Sequence, residues 1–270
     1  MHNTRKEFNW IGSQRHFIDC PDVFTLGHMV IGRYGGNSGA GQSKNEDGCF
    51  MWVDTMHDWE MAVLLDAHNT AESAALIVSL FEENKRPFSS LLSPSLTKQT
   101  FATIEYAVLG LLQSDIFLSA CREVTGETAC LLVVRKGKYV WWFSVGDCVL
   151  YMLHPELAAL GQYQVNQRQF YEWIGQVNTF EQEIPCYTVG VKELRKGENQ
   201  LLLTTDGLLE CPNEPYSSPQ TIYEACKQPT VEACIQSMFA SLIENNVRDS
   251  TTIISWRVTI TEDATKASNQ

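Results

Sequence analysis

Short apolar runs separated by polar turns make up most of the chain and predict strands. The predicted strands cover residues 46–53, 60–65, 128–134, 139–145, 149–153, 201–205 and 251–259. The run 61–65 is apolar at every position, which is typical of a central strand buried on both faces. Lys136-Gly137-Lys138 and Gly146-Asp147-Cys148 predict tight turns that join the three middle strands into an antiparallel meander.

Apolar residues at spacings of three and four predict helices between the strands. The first helix is predicted to begin at Asn69 as its N-cap, with Glu72 in a box-like position, and to end before Pro87. A longer helix is predicted over 97–120 and another over 231–242. Strands in runs, interrupted by pairs of helices, predict an α+β fold of packed antiparallel sheets with helices outside.

Length and composition predict one domain with a full core. The chain has 270 residues, of which 44% are hydrophobic and 19% charged. We expect a single domain over 1–270, with a core over about 25–260, an N-terminal extension and a loose tail. Residues 155–195 lack a clear period and predict a surface excursion that carries specificity.

Charge and terminal sequence limit the expected partners and location. The net charge of −12 argues against the basic face that nucleic acid requires and gives no support to attraction toward an anionic membrane. The first residues lack the apolar centre of a secretion signal, and no run approaches the roughly 18 apolar residues of a membrane span. We therefore predict a cytoplasmic protein, with its nine cysteines reduced and mostly structural.

Four short acidic segments lie at the ends of apolar runs. They are Asn45-Glu46-Asp47, Asp66-Ala67-His68, Asp206-Gly207 and Arg248-Asp249-Ser250-Thr251. Carboxylates that emerge at the ends of several buried strands can meet in space, and their mutual repulsion then calls for cations. Taken alone, each segment is most simply a solvated turn or a helix cap. Together they predict a metal site assembled from distant parts of the chain.

The order and spacing of these and neighbouring segments resemble a known family. The elements that carry the resemblance are Gly41-x-x-Lys44-Asn45-Glu46-Asp47, Leu64-Leu65-Asp66-Ala67-His68, Gly126-Glu127-Thr128-Ala129, Ser144-Val145-Gly146-Asp147-Cys148, Leu203-Thr204-Thr205-Asp206-Gly207-Leu208-Leu209-Glu210 and Arg248-Asp249-Ser250-Thr251-Thr252. In this order they resemble the metal-dependent serine/threonine phosphatases of the PP2C type. Each element is weak evidence by itself, whereas the ordered set is specific.

The resemblance implies a β-sandwich of two antiparallel sheets flanked by helices on both faces, in α-β-β-α layers. It also implies two Mn²⁺ or Mg²⁺ ions at one end of the sandwich. The implied metal ligands are Asp47, Asp66, the backbone carbonyl of Ala67, Asp206 and Asp249. Asp147 and Glu210 match positions where some members, together with Asp206, hold a third ion. Carboxylate and carbonyl oxygens are the ligands that such hard cations prefer.

The resemblance also implies a mechanism. Asp66 would bridge the two ions, and Glu46 and Asp47 would orient metal-bound waters. The water between the ions would attack phosphorus, as in other two-metal hydrolases. His68 matches a histidine that protonates the leaving oxygen, a role that suits a side chain able to change charge near neutral pH.

Two departures from the family pattern lie beside the predicted metal site. Gln42 stands where the family commonly has a phosphate-binding Arg, and a neutral amide lacks the charged fork that suits phosphate. Lys44, two residues on, could supply a point charge in its place. The second departure is Ala67 followed by Asn69-Thr70, where many members have glycines; Ala67 resists a positive φ.

The sequence therefore predicts a phosphoprotein phosphatase that hydrolyses phosphoserine or phosphothreonine esters with two divalent ions. A monomer acting on phosphoprotein substrates, without nucleic acid or membrane partners, is the expected form. The alternative is a weak or inactive homologue that binds a phosphoprotein or serves as a scaffold, which the changes at Gln42 and 67–70 favour. Hydrolysis of a small phosphate ester is a third reading, because the same site could perform it.

Overall fold

Two antiparallel sheets form the centre of the molecule. The computed structural model describes residues 5–266 and 268. Within them the strands are β1 Arg5–Ile11, β2 Asp22–Leu26, β3 Met29–Tyr34, β4 Gly48–Asp54, β5 Trp59–His68, β6 Glu127–Lys136, β7 Tyr139–Val145, β8 Val149–Leu153, β9 Ile174–Gly175, β10 Thr188–Glu193, β11 Gly197–Thr204 and β12 Thr251–Ile260. Sheet A has the order β1-β4-β5-β6-β7-β10, with β9 paired to β6. Sheet B has the order β2-β3-β12-β11-β8.

Helices cover the outer faces of both sheets. They are α1 Glu72–Glu83, α2 Lys85–Leu92, α3 Thr100–Leu112, α4 Asp115–Glu123, α5 Pro155–Ala158, α6 Pro219–Ala225 and α7 Val231–Glu244. Helices α1 to α4 pack on sheet A, and α6 and α7 pack on sheet B. A separate core lies between the two sheets. The predicted α+β fold with α-β-β-α layers is therefore confirmed.

The alternation of side chains along β5 explains why its sequence is apolar throughout. Met61, Val63 and Leu65 belong to the core under the helices, whereas Ala62 and Leu64 belong to the core between the sheets. Successive side chains of a strand point to opposite faces, so a central strand needs apolar residues at every position. The same alternation places the next residue, Asp66, on the side of the second sheet.

The predicted meander is wrong at its second turn. Strands β6 and β7 pair with each other, but β8 pairs with β11 in sheet B. Residues 146–148 therefore carry the chain from one sheet to the other instead of closing a hairpin. Gly146 has φ +86 and a Cβ there would lie 2.5 Å from the Cβ of Ala129, so the crossing requires glycine. The crossing brings Asp147 to one end of the sandwich.

Helix boundaries also differ from the prediction. The first helix begins at Glu72 instead of next to Asn69, because Asn69 adopts φ 72, a left-handed conformation that asparagine tolerates. The long helix predicted over 97–120 is two helices, because Ser114 is extended and caps α4 by accepting a hydrogen bond from the Phe117 amide. Among the described residues no single helix is long and apolar enough to cross a membrane; α3 and α4, bent by 50°, reach that length and composition only as a pair.

Two regions outside the predicted strands contain more order than the sequence indicated. Strand β1 pairs with β4, and β2 pairs with β3, so the sandwich begins before the predicted core boundary. The supposed excursion 155–195 contributes β10, which pairs with β7 along six residues. Its remaining part, between β8 and β9, runs along the edge of the sandwich near Asp147, where Gln169 donates its amide proton to the Gly146 carbonyl at 3.1 Å.

A buried ion pair lies at the beginning of β5, far from Asp66. Glu60 and Arg135 are 1% and 4% exposed, and Arg135 Nε donates to Glu60 Oε2 at 2.5 Å. Trp256 and His28 also contact the Glu60 carboxylate, at 3.2 and 2.8 Å. Burial alone would raise the pKa of Glu60, but His28 and Arg135 more than offset it, so the pKa lies below its usual value.

Replacement of Glu60 should be costly because it leaves Arg135 charged and buried. We expect Glu60→Ala to lower the free energy of unfolding by about 3–5 kcal/mol. Asp58→Ala is the matched control: Asp58 contacts the same guanidinium, but its side chain is 70% exposed, and its loss should cost below about 1 kcal/mol. Urea unfolding measures both. If both variants lost the same free energy of unfolding, burial of the Glu60–Arg135 pair could not be the cause of the larger cost.

Candidate active site

The carboxylates predicted to bind metal meet at one end of the sandwich. Asp47 directly precedes β4 and Asp66 lies near the end of β5, and these neighbouring strands run antiparallel. Asp206 follows β11 and Asp249 precedes β12, which are also antiparallel neighbours. In each pair of antiparallel neighbours, the start of one strand lies beside the end of the other, so Asp47 lies beside Asp66 and Asp206 beside Asp249. Packing of the two sheets then brings these two pairs of carboxylates together.

A glycine allows the loops of sheet B to approach closely. A Cβ on Gly207 would lie 2.2 Å from the carbonyl oxygen of Ser250, a distance that no side chain could occupy. Glycine is therefore required at position 207 by this close approach, and not only to form a turn after Asp206. It permits contact between the segment that carries Asp206 and the segment that carries Asp249.

Asp47 is fully buried and surrounded by hydroxyl groups. Thr252 and Ser250 donate to its carboxylate at 2.6 and 3.0 Å, and Thr205 lies at 3.4 Å. Asn45 Oδ1 accepts a hydrogen bond from the Asp47 amide at 2.9 Å. Burial raises the pKa of Asp47 to about 7 although the hydroxyl bonds oppose the rise. The hydroxyl groups therefore fix the orientation of this carboxylate without satisfying its charge.

Burial and mutual repulsion also act on the other carboxylates. Burial, followed by the charges of Asp206 and Asp47, raises the pKa of Asp66 well above its usual value. Burial and the charge of Asp249 raise the pKa of Asp206 to about 8. Oδ1 of Asp206 and Oδ1 of Asp147 are buried and have no hydrogen-bond partner among the described residues. Such a set of hard oxygen donors fits divalent cations.

Asp147, Asp206 and Glu210 form a second, overlapping group. One carboxylate oxygen from each residue lies within 4.8 Å of the others. The guanidinium of Arg168 reaches all three: its Nη2 lies 3.0 Å from Asp147, 2.5 Å from Glu210 and 3.6 Å from Asp206. The ring centre of Phe170 lies 4.8 Å from the same guanidinium. Burial lowers the pKa of Arg168, but the hydrogen bonds to Glu210 and Asp147 raise it by more than burial lowers it. The pKa of Arg168 is therefore above its usual value.

His68 lies at the edge of the carboxylate cluster at the end of β5. It is close enough to Asp249 to lower the pKa of that carboxyl, although burial raises it more. The imidazole contacts the indole ring of Trp173 edge to face, with ring centres 5.1 Å apart. Ala67, in β5, stays opposite Thr128, and the positive φ of this loop falls on Asn69. The substitution of alanine at 67 therefore causes no strain.

The residues considered for phosphate binding occupy the outer rim. Lys44 Nζ donates to Glu46 Oε1 at 2.7 Å and to the carbonyl of Asn69 at 2.6 Å, which places the ammonium group beside the loop that follows His68. Glu46 is half-buried and has Lys44 as its ion-pair partner. The Gln42 side chain accepts a long hydrogen bond, 3.3 Å, from the Ser43 amide. Lys44 therefore brings a positive charge to this rim, held by Glu46 and by the Asn69 carbonyl.

Several residues of this site were missed by the sequence interpretation. Thr205, Ser250 and Thr252 could have been noticed, because hydroxyl residues stand directly beside the metal-site segments in the sequence. Trp173 packs on His68, although it lies in the aperiodic segment 155–195, where the sequence offers no signal for it. Arg168 had no sequence signal at all, because a lone cation in a segment without a period is ordinary.

Comparison with known proteins supports the fold. No family model and no curated protein matches the sequence. Among solved structures, a substituted bacterial serine phosphatase aligns with a TM-score of 0.62 at 17% identity over 95% of this chain and 99% of that chain. RsbX in complex with magnesium gives 0.58 and 16% over 88% and 100%. The serine/threonine phosphatase PstP/Ppp of Mycobacterium tuberculosis gives 0.56 and 12% over 95% and 98%.

At these identities the likeness shows the fold. The chain has the fold of bacterial serine/threonine phosphatases, and the PP2C-type resemblance of the sequence is confirmed at that level. The whole sandwich takes part, because the alignments cover nearly all of each solved chain.

The raised pKa values predict a pH-dependent stability in the absence of metal. A carboxyl whose pKa is higher in the folded than in the unfolded protein adds to the free energy of unfolding. This contribution is complete below the usual pKa of 3.8 and is lost as pH rises through about 7 for Asp47 and about 8 for Asp206. We expect the melting temperature in EDTA to fall by about 5 °C or more between pH 5 and pH 9. Saturating Mn²⁺ should remove most of this fall, because the ion competes with protons for the same oxygens. Equal slopes with EDTA and with Mn²⁺ in thermal melts would contradict this expectation.

Proposed function

We propose that this protein is a metal-dependent phosphatase that hydrolyses phosphoserine and phosphothreonine esters in proteins. The observation that supports it most is the convergence of Asp47, Asp66, Asp206 and Asp249 beside His68 at one end of the sandwich. The fold agrees, since its solved neighbours carry serine/threonine phosphatase names and one of them was solved with magnesium.

The buried oxygens would hold two Mn²⁺ or Mg²⁺ ions. Asp66 is central in the cluster, since its pKa responds to Asp206, Asp47, Asp249 and Asp147, and it would contact both ions. Asp47, Asp206, Asp249 and the Ala67 carbonyl would complete the ligand set. When bound, the ions would supply an activated water and neutralise the phosphate.

The remaining groups of the site would orient the reactants and move one proton. Attack of water on phosphorus would form a new P–O bond and break the bond to the serine or threonine oxygen. One water proton would stay on the inorganic phosphate, and the other would be released to solvent, from which His68 is reprotonated after turnover. His68 would give a ring proton to the departing oxygen, and Trp173 would hold the imidazole in place. Glu46 and Asp47 would orient water. No side chain becomes phosphorylated in this scheme.

Metal-dependent turnover of p-nitrophenyl phosphate tests the proposed chemistry. We expect activity with Mn²⁺ and none in EDTA, and Asp206→Ala should lose at least about 100-fold because a ligand is removed. Asp263→Ala is the matched control: this carboxylate is exposed and pairs with Lys196 away from the site, so its activity should equal that of the wild type. Turnover that survives EDTA, or an unaffected Asp206→Ala enzyme, would contradict the proposal.

Lys44 is proposed to bind the substrate phosphate in place of the arginine that Gln42 replaces. Its ammonium is exposed and lies beside the loop after His68. Lys44→Ala should raise KM for a phosphopeptide by about 5- to 10-fold, the loss of roughly 1–1.4 kcal/mol of a charge-assisted contact, with kcat changed less. Lys44→Arg should retain the wild-type KM within a factor of about two. If KM is unchanged in Lys44→Ala, Lys44 does not bind the substrate phosphate.

The alternative is a homologue without catalysis that binds a phosphoprotein. The loss of the usual arginine at Gln42 favours it, whereas the retention of the carboxylates Asp47, Asp66 and Asp206, all buried, favours catalysis. Mn²⁺ binding without turnover of either substrate would identify the alternative, and turnover of the small ester without the phosphopeptide would indicate a small-molecule phosphatase. Reduced activity, a monomeric state and a cytoplasmic location remain parts of the proposal.

A further inference from the structure

Arg168 lies where a third cation would be expected. Its Nη2 is within 3.6 Å of carboxylate oxygens from Asp147, Asp206 and Glu210. These three residues offer oxygens that lie close enough together for one ion. A divalent ion there would need oxygens at about 2.0–2.2 Å and would stand within a few ångströms of the guanidinium. The two cations would repel each other, so they cannot share this place.

The position of Arg168 is fixed by its neighbours in the chain. Asn166 is 4% exposed, and its side chain donates to the Ser144 hydroxyl at 3.1 Å and to the Cys148 carbonyl at 2.8 Å. Its Oδ1 accepts from the Leu150 amide at 2.8 Å. On the other side, the Gln169 amide donates to the Gly146 carbonyl at 3.1 Å. The segment that carries Arg168 is thus tied to the crossing that carries Asp147.

Two of these carboxylates keep one oxygen that Arg168 does not engage. Asp206 Oδ1 and Asp147 Oδ1 are buried and have no partner among the described residues, whereas Oδ2 of each faces the guanidinium. The unpartnered oxygens remain available to a cation elsewhere in the cluster. Arg168 therefore neutralises one side of the site and leaves the other side to ions.

We propose that Arg168 is a built-in cation that takes the place of a third divalent ion, so that the chain binds two ions. This inference rests on the proposed two-ion site. The predicted third ion at Asp147, Asp206 and Glu210 would then bind only when the guanidinium is removed. Arg168 is a positioning residue in this scheme, since it acts through the carboxylates that it contacts.

The test is the number of Mn²⁺ ions bound at saturation, measured by titration calorimetry and by metal analysis after equilibrium dialysis. The wild type should bind two ions and Arg168→Gln three. Arg168→Gln combined with Glu210→Gln should bind two again, because a ligand of the new site is lost. The matched control is Arg122→Gln, which removes the ion pair with Glu181 away from the carboxylates and should bind two.

Glu210→Gln in the wild-type background provides a test that does not depend on the folding of the Arg168 variants. Its side chain is 51% exposed, and the variant should still bind two ions. Loss of an ion in this variant would overturn the inference, as would three ions in the wild type or an unchanged count and affinity in a folded Arg168→Gln protein. If the wild type and Arg168→Gln both bind two ions with the same affinity, the inference about Arg168 fails but the proposed phosphatase stands. If none of the proteins binds Mn²⁺, the inference and the proposed phosphatase both fail.

Discussion

The crowding of buried carboxylates is the constraint on which the active end of this molecule depends. Asp47, Asp66 and Asp206 lie close together and are almost fully shielded from water, and each pKa is raised chiefly by burial. Isolated acids would not stay in such a place, since burial of an unpaired charge is costly. The fold holds them there because each is attached to the end of a strand whose apolar residues stabilise both cores. The packing energy of the two cores thus offsets the electrostatic cost of holding these carboxylates together.

Strand β5 shows two ways to bury a carboxylate. Glu60 and Asp66 are an even number of residues apart and therefore lie on the same face, at opposite ends of one strand. Arg135 gives Glu60 a counter-charge and His28 lies within hydrogen-bond distance of it, and the pKa of Glu60 is lowered. Asp66 faces other acids instead, and its pKa is raised. A protein that needed Asp66 only for stability would supply a basic partner. Because no Lys or Arg among the described residues forms an ion pair with Asp66, an external cation is the better explanation.

The features predictable from sequence were those encoded by local periodicity and by residue type. The alternation in β5 and the acidic residues after it located both the strand and Asp66, and the family resemblance gave the layers. Local rules failed at Gly146-Asp147-Cys148, which has the composition of a hairpin turn, because the partner of β8 lies about 50 residues away along the chain and only packing between sheets selects it. They failed again at Asn69, whose left-handed backbone (φ 72) keeps it outside the helix that begins at Glu72.

Arg168 illustrates a second limit of sequence reasoning, since its role is defined only by residues remote in sequence. Glu210 and Asp206 are separated from it by several strands, and Asn166 ties the segment that carries it to the crossing between the sheets. A tethered cation differs physically from a bound ion: it cannot dissociate, and its local concentration does not change with the metal content of the solution. The charge balance of Asp147 and Glu210 would therefore be constant while that of Asp66 and Asp47 followed the available metal, so the same cluster would contain a permanent part and a part that responds to ions.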